Sequence, residues 1–346
     1  MPQELVSFSI AGLRQKVQKT LFSPVASVFI NRLPNRFYLG HIPQLSIALT
    51  RICNADCVFC SYQFLERDQR KHMTDDVFQK VVDGLRRYRI HSVQLSPNLG
   101  EPTLSPNFIR RVRAIRAAGV RRIDVTTNAT FLHKVGIEDF LDDAGPDVIK
   151  ISFPGFNKEM YERVFRYKDY PRVRENILQL LRLNAKRRKP KSIYMLLRGD
   201  IPMEEQMRFP EMIEAKGLVT AVATMVEVDS WNGKITQEML TGNLKLVSHP
   251  PLIQNRPCQL LRELTVYPDG SLHGCSCRNT DLDPDLSLGN LLEDDLMQAY
   301  QRLNPVYDRW KQGQFPKICQ ACNMYTDPAY GFLGHLRQRA EHMFSR

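Results

Sequence analysis

Three cysteines stand within eight residues, Cys53-Asn54-Ala55-Asp56-Cys57-Val58-Phe59-Cys60, a C-x3-C-x2-C spacing. Thiolates so placed can hold three corners of a cubane iron–sulfur cluster and leave the fourth iron open to a small ligand. Zinc sites ordinarily close with four ligands, commonly as two separated pairs. An odd triplet cannot pair within itself as disulfides. Five more cysteines follow far downstream: Cys258, Cys275, Cys277, Cys319 and Cys322. Four cysteines arranged as a distant pair plus a C-x2-C can ligate one complete cluster, and tetrahedral zinc is the physical rival because both accept four thiolates.

These residues need a scaffold, and the bulk composition is that of a globular enzyme. The chain has 346 residues, 43% hydrophobic and 25% charged. It shows no apolar run of membrane-spanning length and no basic-then-apolar secretory leader. Eight cysteines without export signals point to metal ligands in a reducing compartment, and we place the protein in the cytoplasm. The formal net charge is +11. Much of the excess lies in Arg110, Arg111, Arg113, Arg116, Arg121 and Arg122, and in the run Lys186-Arg187-Arg188-Lys189-Pro190-Lys191. Neither run is interleaved with aromatics, so a solvated helix face and a basic loop are favoured, and no nucleic-acid partner is expected.

Residues 1–42 form an N-terminal segment in which Val6, Ile10, Leu13, Val17 and Leu21 recur at helical spacing. Such a helix docks on the domain or lies on a membrane surface, and docking is favoured. From residue 43 strands alternate with helices. The strands are expected at 45–50, 92–96, 122–126, 147–152, 192–198 and 219–227. Helices are expected at 74–87 (capped by Thr74), 106–118, 137–143, 170–186 and 204–216. Strands separated by helices pair in parallel through right-handed crossovers, with functional loops at their C-terminal ends. Residues 228–255 look like a linker. Pro268-Asp269-Gly270 joins a hairpin, and a helix is expected at 291–303.

The triplet, with aromatic Phe59 before its last cysteine, resembles the signature of the radical S-adenosylmethionine (radical SAM) superfamily. Three other rim segments share the resemblance. Gly100-Glu101-Pro102 is similar to the family's G-G-E-P motif, with Leu99 in place of the first glycine. Thr127-Asn128 resembles the ribose-contacting T-N motif. In Ser152-Phe153-Pro154-Gly155, Pro154 replaces the usual acid, so only Ser152 carries over. The resemblance implies an α/β fold, a partial (β/α)6 TIM-type barrel over 43–230. It also implies SAM on an open-iron 4Fe–4S cluster held by Cys53, Cys57 and Cys60, and a flavodoxin- or ferredoxin-type reductant. Region 231–330 resembles the SPASM/twitch extension, which implies a second 4Fe–4S cluster on Cys258, Cys275, Cys319 and Cys322; a tail occupies 331–346.

Cys277 is then left as a packed thiol, an alternative ligand or a hydrogen donor to a substrate radical. Arg198, Glu227 and Asp229 are the expected rim residues for substrate, with Asp200, Trp231 and Asn232 nearby. The resemblance leaves three reactions: alcohol oxidation or epimerisation of a sugar or aminocyclitol, ranked first, and peptide modification. A non-enzymatic cluster carrier is the remaining class, and six strand–helix units exceed what such a carrier needs.

Overall fold

The computed structural model describes residues 34–35, 39–96, 98–247 and 257–326. The N-terminal amphipathic helix, with its docking or membrane contact, and the tail 331–346 lie outside these residues. So do the punctuating residues 249–251 of the expected linker.

Six parallel strands, β1 (Leu45–Ile47), β2 (Ser92–Leu95), β3 (Arg122–Thr127), β4 (Val148–Phe153), β5 (Ser192–Leu197) and β6 (Ala221–Thr224), are hydrogen-bonded in sequence order. Their period-2 patterning explains how both faces are covered. Val93, Leu95, Ile123, Val125, Ile149, Ile151, Ile193, Met195 and Leu197 are fully buried against the helices. Gln94, Lys150, Ser152, Tyr194 and Leu196 alternate with them and are half-buried on the concave face. The first crossover helix, Asp75–Arg87, begins where expected: the Thr74 hydroxyl accepts from the Val77 N–H at 3.3 Å. Asp75 and Asp76 sit in its first turn and Arg86 and Arg87 in its last, which complements the helix dipole. Helices Phe108–Ala117, Ile137–Leu141 and Tyr170–Ala185 follow the expected pattern.

The sheet does not stop at β1. Strand β9 (Leu264–Val266) pairs parallel with the outer side of β1, in register Leu45↔Leu264 to Ile47↔Val266. The expected hairpin then adds β10 (Ser271–His273) and β11 (Ser287–Asn290) antiparallel, giving nine strands in one open sheet. The C-terminal region thus continues the barrel's own sheet.

Several boundaries differ from expectation. The helix expected at 204–216 breaks into Met203–Gln206 and Pro210–Leu218, because the residue before a proline is pushed out of helical conformation. Strand six ends at Thr224. Glu227–Val228 forms a separate strand, β7, paired with β8 (Lys245–Leu246) inside the expected linker. The helix expected at 291–303 starts only at Leu296, where the Asp295 carboxylate caps it, and gives way at Arg302 to a second helix, Leu303–Lys311. The arginine-rich helix is paired more than solvated. Arg111, Arg113 and Arg116 meet Asp75, Asp139 with Asp142, and Asp147 at 2.6–2.8 Å.

Candidate active site at the strand C-termini

The cysteine triplet leaves β1 through Thr50 and Arg51 onto the rim. Arg51 is buried. Its guanidinium donates to the Thr280 carbonyl at 2.7 Å and lies 5.2 Å from the Tyr267 ring centroid. The start of the loop is thereby tied to the C-terminal region. Asn54 clamps the middle, accepting from the Asn128 amide at 3.1 Å and donating to Thr130 Oγ1 at 2.9 Å. Asn128 Nδ2 also approaches Cys53 Sγ at 3.9 Å, and the Tyr62 N–H donates to Cys60 Sγ at 3.5 Å. Burial pushes the Cys53 thiol up to about 12, and burial together with the neighbouring thiols raises Cys57 well above its ordinary value. Three neighbouring buried thiols on one loop suit a polycationic core, which takes their protons' place on binding.

The other rim motifs serve the same loop. Gly100 has φ +105, and a Cβ there would overlap the Thr50 carbonyl oxygen. The Glu101 carboxylate is fully buried and accepts four hydrogen bonds: Thr103 N–H (3.1 Å), Thr103 Oγ1 (2.6 Å), Thr127 Oγ1 (2.7 Å) and Asn128 N–H (2.7 Å). Glu101 and Thr127 therefore bind one another, joining the loops after β2 and β3. Pro102 opens the short 3-10 turn Pro102–Leu104 beneath them. Leu99, which departs from the expected glycine, is buried with Tyr62 and Leu65 against Cys53 and Cys60. Ser152 is half-buried on β4, and its hydroxyl makes no hydrogen bond among the described residues.

A second group of cysteines gathers on the far side. Cys258, Cys275, Cys277, Cys319 and Cys322 line one cavity, closed by Leu261, Trp310 and Tyr325. All are free thiols. The N–H groups of Met324 and Thr326 donate to Cys322 Sγ and Cys258 Sγ, each at 3.3 Å, contacts that would stabilise charge on a thiolate. Among the described residues no three His, Cys, Asp or Glu side chains converge on a position for a single metal ion. Thiols around a cubane stand further apart because each binds a different iron.

Between the two thiol groups lies a cationic, aromatic junction. Arg198 follows β5, and its guanidinium stands 5.1 Å from the Phe59 centroid. Arg278, the residue after Cys277, lies 4.2 Å over the Trp231 ring and 3.3 Å from Asp229. Trp231 donates its indole N–H to the Phe59 carbonyl at 3.0 Å and its backbone N–H to Asp229 at 2.6 Å. Trp231, Asn232 and Gly233 all have positive φ, a strained run that a site or close packing must hold in place. Of the sequence-selected substrate residues, the structure brings Arg198, Asp229 and Trp231 together. Glu227 instead pairs with Lys245 at 3.7 Å on the β7–β8 ladder, and Asp200 is buried against Arg163. Arg278, Asn54, Thr130 and Arg51 escaped sequence reading. Only Arg278 had a signal, a cation directly following the C-x-C run.

Comparison with known proteins accords with this geometry. Residues 47–208 match the model of the Radical SAM superfamily. The chain is 25% identical over 302 residues to a "Probable GTP 3′,8-cyclase" of Methanothermobacter marburgensis, covering 76% of this chain and 95% of that protein. A protein of the same name from Methanothermobacter thermautotrophicus is 24% identical over 274 residues, 70% of this chain and 86% of that one. Solved structures share the fold. BtrN in complex with AdoMet and 2-DOIA gives a TM-score of 0.53 at 13% identity, covering 82% of this chain and 93% of that one. Streptococcus suis SuiB bound to its precursor peptide SuiA gives 0.57 at 15%, covering 93% and 78%. With its open parallel sheet and its cysteine triplet at the C-terminal end of β1, the chain carries a radical SAM domain match over residues 47–208.

Proposed function

We propose that the protein takes a hydrogen atom from a C–H bond of a sugar-like small molecule held at the Arg198–Asp229–Trp231 junction. The observation that carries this reading is the placement of that junction between two separate sets of thiols. Cys53, Cys57 and Cys60 would hold a SAM-binding 4Fe–4S cluster. Cys258, Cys275, Cys319 and Cys322 would hold a second cluster, whose chemistry is one-electron exchange. When bound and reduced, the first cluster with SAM supplies a 5′-deoxyadenosyl radical able to attack an unactivated C–H bond.

The chain's own residues do the rest. Phe59, buried and packed edge-on against Phe165 at 5.7 Å, seals one wall from water. Gly100 allows the backbone after β2 to pass close to the cysteine loop. Ser152 is a polar group available to SAM, while the Asn128 amide, held by Asn54 and Thr130, fixes the loop beside it. Asp229 offers a carboxylate at the junction to accept the proton that a substrate radical sheds on oxidation. Cys277 lines the cavity of the other four distant cysteines, which favours oxidation over hydrogen return to the substrate. A chain with eight free cysteines fits the cytoplasm, and a flavodoxin- or ferredoxin-type protein is the reductant we expect.

A second reading, radical attack on the ribose of GTP, is favoured by the shared name of the full-length relatives. Both readings predict the same first observation. Anaerobically reconstituted protein should carry about eight irons per chain and release 5′-deoxyadenosine from SAM with dithionite. Cys57→Ala should abolish this release. Release stimulated by GTP but by no sugar or aminocyclitol would select the second reading. No 5′-deoxyadenosine with any of them would overturn both.

A further inference from the structure

We infer that the substrate carries an anionic group, a phosphate or carboxylate, bound by Arg198. This deepens the proposed reading and rests on it for the word substrate. Arg198 is half-buried at the end of β5, with its backbone N–H fixed on the Phe153 carbonyl at 2.9 Å. Among the described residues its guanidinium makes no hydrogen bond and has no carboxylate within ion-pair distance. Other guanidiniums of the fold are matched. Arg116 has Asp147 at 2.6 Å, Arg163 has Asp200 at 2.8 Å, and Arg278 has Asp229 at 3.3 Å. Arg51 is satisfied by the Thr280 carbonyl.

A buried cation normally requires a partner, because desolvation outweighs what an aromatic face returns. The Phe59 ring offers such a face and no acceptor. Arg278 adds to the demand: burial first, and then repulsion by Arg278, disfavour the Arg198 charge. The junction therefore holds two guanidiniums and one carboxylate. Asp229 receives the Trp231 N–H on one oxygen and answers Arg278 on the other, which leaves Arg198 without a carboxylate of its own. A planar guanidinium presents a donor fork that matches phosphate or carboxylate oxygens. Trp231, held by the strained run 231–233, adds a half-buried aromatic ring to the junction, with Arg278 lying over it. Two other counter-charges compete for Arg198, the thiolates of Cys57 and Cys60 and the carboxylate of SAM, and the test separates them.

The probes are inorganic phosphate and acetate, titrated by 31P and 13C line broadening against reconstituted protein saturated with SAM. At least one should bind saturably. Arg198→Gln should weaken it about tenfold or more, the loss of a charge-assisted pair, and Arg198→Lys should restore part of it. Exchange of the exposed run Lys186, Arg188 and Lys189 for glutamine should change nothing. A response to phosphate alone identifies a phosphorylated substrate, and to acetate alone a carboxylate. The inference is overturned if neither binds, or if Arg198→Gln and Arg198→Lys bind as the parent does. It is equally overturned if the surface exchange removes binding, or if Arg198→Gln weakens SAM instead. Binding is read without turnover. Absence of 5′-deoxyadenosine would sink the enzymatic reading and leave this result standing, and the converse holds as well.

Discussion

Gly100 and Glu101 share a task that neither could perform alone. The glycine's positive φ turns the chain under the Thr50 carbonyl, and its neighbour's carboxylate then collects donors from two successive loops. Burial raises the Glu101 carboxyl above its ordinary value against those hydrogen bonds. Gly100→Ala imposes both an unfavourable φ and an overlap with backbone that cannot rotate away. It should cost at least about 2 kcal/mol, measured by urea unfolding of the metal-free protein. SAM binding to the reconstituted variant should fall with it, because the displaced loop carries Glu101. At this scale the sequence was partly legible. The cysteines and the rim motifs could be read from spacing, since each depends on local backbone geometry. Arg278 and Arg51 could not, because their value comes from residues more than 40 positions away, Asp229 and Thr280.

At the scale of elements, the segment after β5 shows how a charge becomes a buckle. Asp200 is buried and receives Arg163 through two 2.8 Å hydrogen bonds, while Gly242 passes directly over its carbonyl. Burial pushes the Asp200 carboxyl up, but the Arg163 guanidinium brings it below its ordinary value of 3.8. A carboxyl depressed on folding contributes stability above the unfolded value, and that contribution disappears as pH falls through the lower folded value. Asp200→Asn should therefore destabilise by about 1–3 kcal/mol at neutral pH. The gap from the parent should narrow below about pH 4, seen in urea titrations at pH 7 and pH 3. A gap unchanged by pH would mean that shape, and not charge, is what Asp200 supplies. The parallel strands were legible because apolar and polar residues alternate on them. The irregular span after β6 was not, because two-residue strands such as β7 and β8 have too little sequence to show a period.

At the scale of the molecule, the C-terminal hairpin was legible as a hairpin but not as part of the barrel's sheet. Turn chemistry reveals local pairing and says nothing of which distant edge a strand will join. The consequence is that β1 is an interior strand only when β9 is present. Truncation after residue 230 should uncover the hydrogen-bonding edge of β1, leave Arg51 without Thr280, and give protein that elutes as aggregate on size exclusion. The doubly substituted Cys319→Ala/Cys322→Ala protein should remain a soluble monomer-sized species with about four irons fewer. Aggregation of both alike would show that the distant thiols, and not the strand, complete the fold.

The pairing of Leu45 with Leu264 also sets an order of events during synthesis. The strand that launches the first three cysteines leaves the ribosome early and must wait for most of the chain before its second neighbour arrives. At translation rates of about 5–20 residues per second, that wait lasts on the order of ten seconds or more. During this interval three reactive thiols hang from a half-paired strand, reachable by oxidants and by stray metal. The loop that carries the triplet thus gains its full structural support only when the segment that brings the other five thiols arrives.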